Sequence, residues 1–406
     1  MLRNADFRRL WLSNALTSFS GQVSALALPL CAILLLGATP AQMGTLSAMQ
    51  ALPFALFGLP VGVWLDRNRK FPLLLGAELM FGLVLASIPL AHWLGLLSIH
   101  CLYVVGFLTG TGLVISGGAE QVFLTFLVGR SGLIDAQARF AATESASRLL
   151  GPALAGLLVQ ILTAPVVILF NACAFFISLL NLRRIRARES VPAPTGTHPM
   201  REMKDGLAFV WGHPLLRTLA WSAGSWHFLF FGYTALQILF ATRVLGMSPG
   251  ALGMTGTLGG IGILASSILL KPLSRRFGAG RTILIGLSCT TVGFVLIPML
   301  PPALFGSGTA TVIAFGILVM FFDCGVMLFF MPYMALRQRV TPDAFLGRMV
   351  STMRFLTVAV APLGALAAGY IGDHFGVRSG LACVAAGAIA LTLWMVLMSP
   401  LRSVKD

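Results

Sequence analysis

Among 406 residues the sequence carries 13 acidic side chains, and those set inside long apolar stretches are the ones that could move a proton. Asp323 stands in LVMFFDCGVMLFF, with no base beside it in the chain to neutralise it. An ionisable group at the centre of a membrane helix costs about 2.5–3.5 kcal/mol on insertion scales, which makes each one a functional candidate. Asp323 is therefore expected to take up and release protons; the alternative is a helix-to-helix hydrogen bond made by the protonated acid. Glu120 and Glu78 are further proton-coupling candidates, nearer helix ends, where either could instead snorkel or pair with a loop arginine. Other chemistries lack their residues. The six cysteines form no CxxC and there is no HExxH, so no metal site or disulfide framework is expected. His92, His100, His198, His213, His227 and His374 are dispersed without an acidic partner in a short motif, which argues against a membrane-embedded enzyme. The glycine runs GFLTGTG and GMTGTLGGIG end in no GK[ST] and lie in apolar stretches, so no nucleotide and no other cofactor is expected. They read as close-packing positions between helices.

The elements that hold these residues follow from composition. At 57% hydrophobic, 10% charged and a mean hydropathy of +0.90, the chain cannot cover a water-facing surface. A membrane helix needs about 20 apolar residues. Runs of that length occupy approximately 10–36, 41–65, 72–94, 98–127, 139–162, 165–182, 217–242, 249–272, 281–300, 308–335, 349–371 and 379–398. The N-terminal run is too long for a signal-peptide core. Of the 28 Lys and Arg residues, Arg243 and Arg378 fall on one side of this arrangement, Arg148 and Arg354 lie inside spans, and all others fall on the opposite side with both termini. By the positive-inside rule both termini are cytoplasmic. The net charge of +15 is thus a topology signal, helped by attraction to anionic lipid, and not a nucleic-acid surface.

Between spans six and seven the stretch RRIRARESVPAPTGTHPMREMKDG is polar, basic and Pro-rich. It divides the chain into a bundle at 1–182, a cytoplasmic linker at 183–216 and a second bundle at 217–406. The linker's end either forms a short amphipathic helix with Leu207, Phe209, Val210 and Trp211 in the interface or stays solvated. The two bundles read as repeats. At an offset of about 208 to 210, GVWLDR (62–67) falls over LKPLSR (270–275), Gly76 over Gly286, Arg130 and Arg139 over Arg339 and Arg348, and Pro152 over Pro362.

On these grounds the chain resembles the major facilitator superfamily over essentially its whole length. GVWLDRNRK is similar to the family's motif after the second span, through Gly62, Asp66, Arg67, Arg69 and Lys70, with the usual glycine near Arg69 replaced. LLGPALAG resembles the antiporter motif of the fifth span, through Gly151, Pro152 and Gly156. KDGLAFVWGHPLLR, LRQRVTPDAFLGRM and SPLR are similar to the bacterial drug/macrolide and enterobactin exporter group. Span four has no arginine, unlike the family's proton-coupled drug exporters, and the second loop motif has Ser274 where the first has Asp66.

The resemblance implies an all-α membrane protein: twelve transmembrane helices in two pseudo-symmetric six-helix bundles around a central cavity. It also implies roles. Asp66 would latch onto the start of span eleven, near Arg348 and Arg354, when the cytoplasmic side is closed; a mere stop-transfer cluster is the alternative. By the repeat, Glu144 and Arg275 would form a mirror contact, although Glu144 also precedes Arg148 by four residues, the spacing of an ordinary intrahelical pair. Spans one, four, seven and ten would line the cavity. They offer Asn14, Ser18 and Gln22, on one helix face by their spacing, then Trp226, His227, Tyr233 and Gln237, then Met327, Phe330 and Tyr333. His227 could equally be a packed core histidine, and Trp226 could face lipid. Such a wall suits a bulky amphipathic ligand. The expected function is secondary active export of an amphipathic small molecule from the bacterial inner membrane, coupled to protons, by a monomer surrounded by lipid. An uptake or facilitative carrier and a lipid flippase are the alternatives.

Overall fold

A computed structural model describes residues 4–187, 189, 199–342, 345–399 and 401, apart from the side chains at 59, 62, 63, 65, 66, 130, 131 and 199–203. The described residues form α1 (Ala5–Leu35), α2 (Pro40–Arg67), α3 (Lys70–Trp93), α4 (Ile99–Leu162), α5 (Ala164–Leu182), α6 (Pro199–Gly212), α7 (Pro214–Leu239), α8 (Pro249–Phe277), α9 (Ala279–Leu296), α10 (Gly308–Arg339), α11 (Leu346–Val358), α12 (Ala361–Phe375) and α13 (Val377–Met398). Local chemistry sets several boundaries. Asn4 caps α1 by accepting from the Asp6 and Phe7 amides. Proline opens α7 and α8 at the first turn, where its missing N–H costs nothing. Gly129, at φ 68° and ψ 171°, breaks α4 into two arms, Ile99–Gly129 and Gly132–Leu162, in a conformation open to glycine and strained for other residues. The run 346–375 breaks at Ala359 and Val360, just before Pro362, whose ring cannot sit inside a regular turn.

Ten helices among the described residues are long and apolar enough to cross a membrane. They coincide with ten of the twelve expected spans, the two arms of α4 supplying spans four and five and α11 with α12 supplying span eleven. The other two expected spans correspond to α2 and α7, helices of 28 and 26 residues. In α7 the polar residues Ser222, Ser225, His227, Thr234 and Gln237 dilute the apolar run. The linker does contain a helix, α6. Its Gly206 and Val210 turn toward α11, where a Cβ on Gly206 would meet Thr352 Oγ1 at 2.5 Å, and Phe209 stacks on Phe345 with centroids 5.0 Å apart. Only Leu207 and Trp211 of the four apolar residues expected at the interface remain exposed.

Helices α1 to α5 pack on one another, as do α7 to α13, and the two sets meet along α4 with α8 and α2 with α12. Both seams are made by glycine. A Cβ on Gly44 would lie 2.8 Å from Gly369 Cα, and one on Gly156 would lie 2.8 Å from Gly253 Cα. Gly44 and Gly253 are separated by the same offset of about 209 residues that relates the repeats, as are Pro40 and Pro249, whose carbonyls face Gly369 and Gly156. Close approach of this kind is available only where side chains are absent. Both seams lie at the helix ends opposite those joined by the Arg- and Lys-rich connections. At the basic end, by contrast, a cleft of about 550 Å³ separates the sets, bounded by Phe54, Gly58 and Val114 on one side and Gln338, Arg354 and Phe355 on the other.

Candidate functional site

A cavity of about 560 Å³ opens inside the N-terminal set, and its wall is uneven in charge. Asn14, Ser18 and Gln22 line it together from one face of α1, as their spacing requires. Glu78 enters from α3, Glu120 from the first arm of α4 and Glu144 from the second, while Gln50 comes from α2 and Phe231 from α7. No Lys or Arg is among the described lining residues. Asn14 Nδ2 donates to Glu120 Oε1 at 2.9 Å. Glu78 is 5% exposed, and its Oε2, like Asn14 Oδ1, is buried with no hydrogen-bond partner among the described residues. A buried oxygen left in that state is costly, and the protein donor beside it is the Ser178 hydroxyl of α5, itself buried without a partner among the described residues. Glu144 is held differently: Arg148 Nε donates to its Oε1 at 2.8 Å, and both side chains are 43% exposed.

The residues that sequence placed in the same wall from the C-terminal half stand elsewhere. Trp226, Tyr233 and Tyr333 are buried in a continuous aromatic core between α7, α9 and α10. Trp226 stacks on Phe230 at 4.6 Å and meets Phe330 edge-on at 4.9 Å. Tyr233 packs against Phe294 and Phe322 at 5.2 and 5.4 Å, and Tyr333 against Phe329 at 6.0 Å. Trp226 and Tyr233 are seven residues apart on α7, with Phe230 between them, so they form one stripe facing α10. His227 Nδ1 lies 2.7 Å from the Ala223 carbonyl, a contact within its own helix, and its ring meets Phe330 at 5.3 Å. Gln237, Met327 and Phe330 are half-buried and do not line the cavity. Phe231, which does, lies one position off the buried stripe.

Asp323 is half-buried on α10 and faces α8, where a Cβ on Gly259 would fall 2.2 Å from Asp323 Oδ2. The next glycine, Gly260, abuts the backbone of Arg148 and Leu149 in α4. Two successive glycines thus thin α8 at the point where Asp323 approaches the other half, and Arg148 lies within electrostatic range of its carboxylate. The antiporter-like motif sits at the same interface. Gly151 abuts Gln22 of α1, while the Pro152 carbonyl and Gly156 press against Gly253 of α8.

Gly62 and the Asp66 side chain lie outside the described residues, and so does any latch through them. Of the rest of that motif, Arg67 and Arg69 are exposed and Lys70 is buried. The Lys70 and Phe71 amides donate to Glu189 Oε2 at 2.6 and 3.0 Å, so the start of α3 is capped from the linker. Sequence reasoning missed Glu189, because nothing local marks an acid 119 residues away as a cap. Arg348 reaches Asp205 of α6 at 3.7 Å. Arg354 lies over the Phe54 ring of α2 at 5.5 Å, and Arg275 is exposed at the end of α8.

The helical scaffold that carries this cavity has known counterparts. The sequence profile described as Major Facilitator Superfamily matches residues 10–362. The chain is 25% identical over 397 residues to the uncharacterized MFS-type transporter YfiS of Bacillus subtilis (strain 168), covering 95% of this chain and 90% of that one. It is 21% identical over 342 residues to macrolide efflux protein A of Streptococcus pyogenes, covering 82% and 81%. The multidrug efflux pump Tap of Mycolicibacterium fortuitum is 25% identical over 369 residues, covering 86% and 85%. Among solved structures, the nucleoside transporter NupG superposes with a TM-score of 0.80 at 11% identity, over 97% of this chain and 99% of that one. A bacterial homologue of the iron transporter ferroportin in an inward-facing state gives 0.73 at 18% identity, over 97% and 99%. With a family profile matched across most of its length and a transporter fold to go with it, the chain belongs to the Major Facilitator Superfamily.

Proposed function

We propose that this protein is a secondary active exporter that carries an amphipathic, positively charged small molecule out of the cell by alternating access, in exchange for protons. The observation that carries the reading is the charge of the cavity. Glu78 and Glu120, with Glu144 paired to Arg148, line it without a described Lys or Arg in the wall itself, in a chain whose formal net charge is +15. A cation entering this cavity meets the buried Glu78 carboxylate, and a proton meets the same group, so the two compete. Leu10, Phe54, Phe81 and Leu113 in the same wall supply apolar contact. The outward direction is supported by the relatives named as efflux proteins.

In this reading α2 and α7 complete twelve spans, in bundles at 1–182 and 217–406 joined by the linker at 183–216. The protein lies in the bacterial inner membrane as a monomer with both termini cytoplasmic. The glycine seams then close the outer side, and the cleft at Phe54 and Arg354 belongs to the cytoplasmic side. Asp66 latches that cleft against span eleven when the bundles rock shut, and Asp323 serves as a second proton carrier beside Arg148. The test is transport in inside-out vesicles with an imposed pH gradient. An exporter accumulates a lipophilic cation only while the gradient lasts, and Glu78→Gln abolishes this. Accumulation indifferent to the gradient would favour a second reading, a facilitative or uptake carrier, which is supported by the likeness to the nucleoside transporter.

A further inference from the structure

On the outer flank of the C-terminal half, away from the central cavity, a groove of about 680 Å³ runs between α7, the broken α11–α12 run and α13, with α6 at its mouth. Its walls are Trp221, Phe228, Val360 and Trp394, and Trp211 of α6 stands at its opening. Gly224 and Gly387 also line it, where a Cβ would meet the Leu356 carbonyl oxygen at 3.5 Å and Leu229 Cδ2 at 2.6 Å. The mouth lies at the basic end, where α6 and the start of α7 meet the end of α13. From Ala220 to Leu229 the groove follows α7 for about 14 Å at 1.5 Å per residue, nearly half of a hydrocarbon core about 30 Å thick. That takes in the outer part of one extended acyl chain running inward from the headgroup level.

Two exposed basic groups stand at the mouth among the described residues. Arg217 is exposed on the first turn of α7, three and four residues before Ala220 and Trp221 of the groove, and so on the same face. Lys204 is exposed on α6, on the stripe that carries Leu207 and Trp211. The neighbouring acid, Asp205, is directed to Arg348 at 3.7 Å. No acidic residue is among the described residues lining the groove. Tryptophan at such a level prefers the boundary between headgroups and hydrocarbon, and Trp211 and Trp221 are 48% and 59% exposed.

We propose that this groove is a binding site for an anionic phospholipid of the leaflet at the basic end, its phosphate held by Lys204 and Arg217 and one acyl chain lying between Trp221 and Trp394. The chain reaches Val360, at the break between α11 and α12, so its presence fills the space into which that break would otherwise relax. The site is separate from the central cavity and does not depend on the direction of transport.

The test uses the full-length protein in nanodiscs doped with phosphatidylglycerol or phosphatidylcholine, each carrying brominated acyl chains, with quenching of tryptophan fluorescence as the readout. The groove signal is the part lost in a W211F/W221F/W394F variant. Brominated phosphatidylglycerol is expected to quench that part at a mole fraction about 25-fold lower than brominated phosphatidylcholine, because each of the two basic groups near the surface is worth about a fivefold preference for anionic lipid. A K204Q/R217Q variant, altered only at exposed positions, is expected to quench equally with both lipids, and Arg217→Lys to keep most of the preference. Ser225→Phe, which fills the groove, is expected to remove the quenching by both; if it does not fold, the charge variants carry the test alone. Equal quenching of the parent protein by the two lipids would mean ordinary solvation by bulk lipid and would overturn the proposal, as would a preference that survives K204Q/R217Q. Displacement of the brominated lipid by tetraphenylphosphonium would also overturn it, assigning the groove to a cationic substrate.

Discussion

Gly253→Ala tests whether the two halves move as rigid bodies about their glycine seams. A Cβ at that position would sit 2.4 Å from the Pro152 carbonyl oxygen, 3.0 Å from Gly156 Cα and 3.1 Å from Gly156 N, all of them backbone atoms. No rotamer change relieves such a contact, so α4 and α8 must part by about 1 Å to restore ordinary van der Waals distance. Overpacking of this kind costs about 1–3 kcal/mol. It falls only on conformations in which this end is closed, which shifts the equilibrium toward the opposite state by about 5- to 150-fold. The reporter belongs in the other seam. Ala48 is buried with Ala235 and Ala365 where α2, α7 and α12 meet, so a cysteine placed there, with the six native cysteines replaced by serine, is shielded until that seam opens. Reaction of Ala48→Cys with a membrane-impermeant maleimide should accelerate in the Gly253→Ala background by the same factor. Gly117→Ala is the control, because a Cβ there meets nothing within 4 Å. An unchanged rate in a folded Gly253→Ala protein would refute rigid coupling of the seams, and acceleration by Gly117→Ala would show that the effect is not steric.

Three other outcomes follow from the geometry. Glu78→Gln and Glu120→Gln should each lower efflux of a lipophilic cation at least tenfold while sparing a neutral analogue, measured with matched dye pairs in loaded cells; equal loss for both would remove charge recognition from the cavity. Thr163 is a β-branched residue at φ 72° and ψ 155°, a region used almost only by glycine, where strain is worth about 1–3 kcal/mol. The equivalent turn before α13 carries Gly376 at φ 91° and ψ 149°, so Thr163→Gly should stabilise the protein by about 1 kcal/mol after the entropy lost by glycine, read as a rise of a few degrees in Tm in detergent. Finally, charge reversal of Glu144 and Arg148 together should restore transport lost in either single reversal, whereas reversal of Glu144 with Arg275 should not. The first pair is in contact at 2.8 Å and worth about 0.3–0.5 kcal/mol as an exposed helical pair, which a double-mutant cycle on thermal unfolding measures.

The scaffold was legible because its determinants are local and repeated. Apolar runs mark spans, and the offset of about 209 that matched the motifs also aligns Gly44 with Gly253, one glycine from each seam. The α1 face of the cavity was legible for the same reason, since Asn14, Ser18 and Gln22 need only helical spacing to coincide. The C-terminal wall was harder to read. In a helix apolar on all sides, Trp226, Tyr233 and Tyr333 look alike whether they face a cavity, a neighbour or lipid, because the hydrophobic pattern that marks an inner face in water is absent in hydrocarbon. Their burial against Phe294, Phe322 and Phe329 is a property of how α7, α9 and α10 pack, and Phe231, the ring that does reach the cavity, differs from its buried neighbours by a single position. Glu189 and Asp6 were missed on other grounds. Asp6 accepts from the Arg186 and Ala187 amides, closing α1 onto the chain after α5, and each of these caps joins segments more than a hundred residues apart.

The two sets of helices meet through matched glycine seams and differ in chemistry. The N-terminal set supplies carboxylates around open space, two of them joined through Asn14 or to Arg148; the C-terminal set fills the corresponding region with stacked rings, from Trp226 to Phe294, that leave little room to deform. One half is therefore suited to hold the charge and the other to act as a rigid lever. They communicate where α8 is thinnest. At Gly259 and Gly260 the Asp323 carboxylate of the lever comes within electrostatic range of Arg148, which in the same conformation is bonded to Glu144 in the cavity wall. Glu144 and Asp323 thus stand toward one guanidinium from opposite sides of the seam, beside the two glycines that let α8 approach α4.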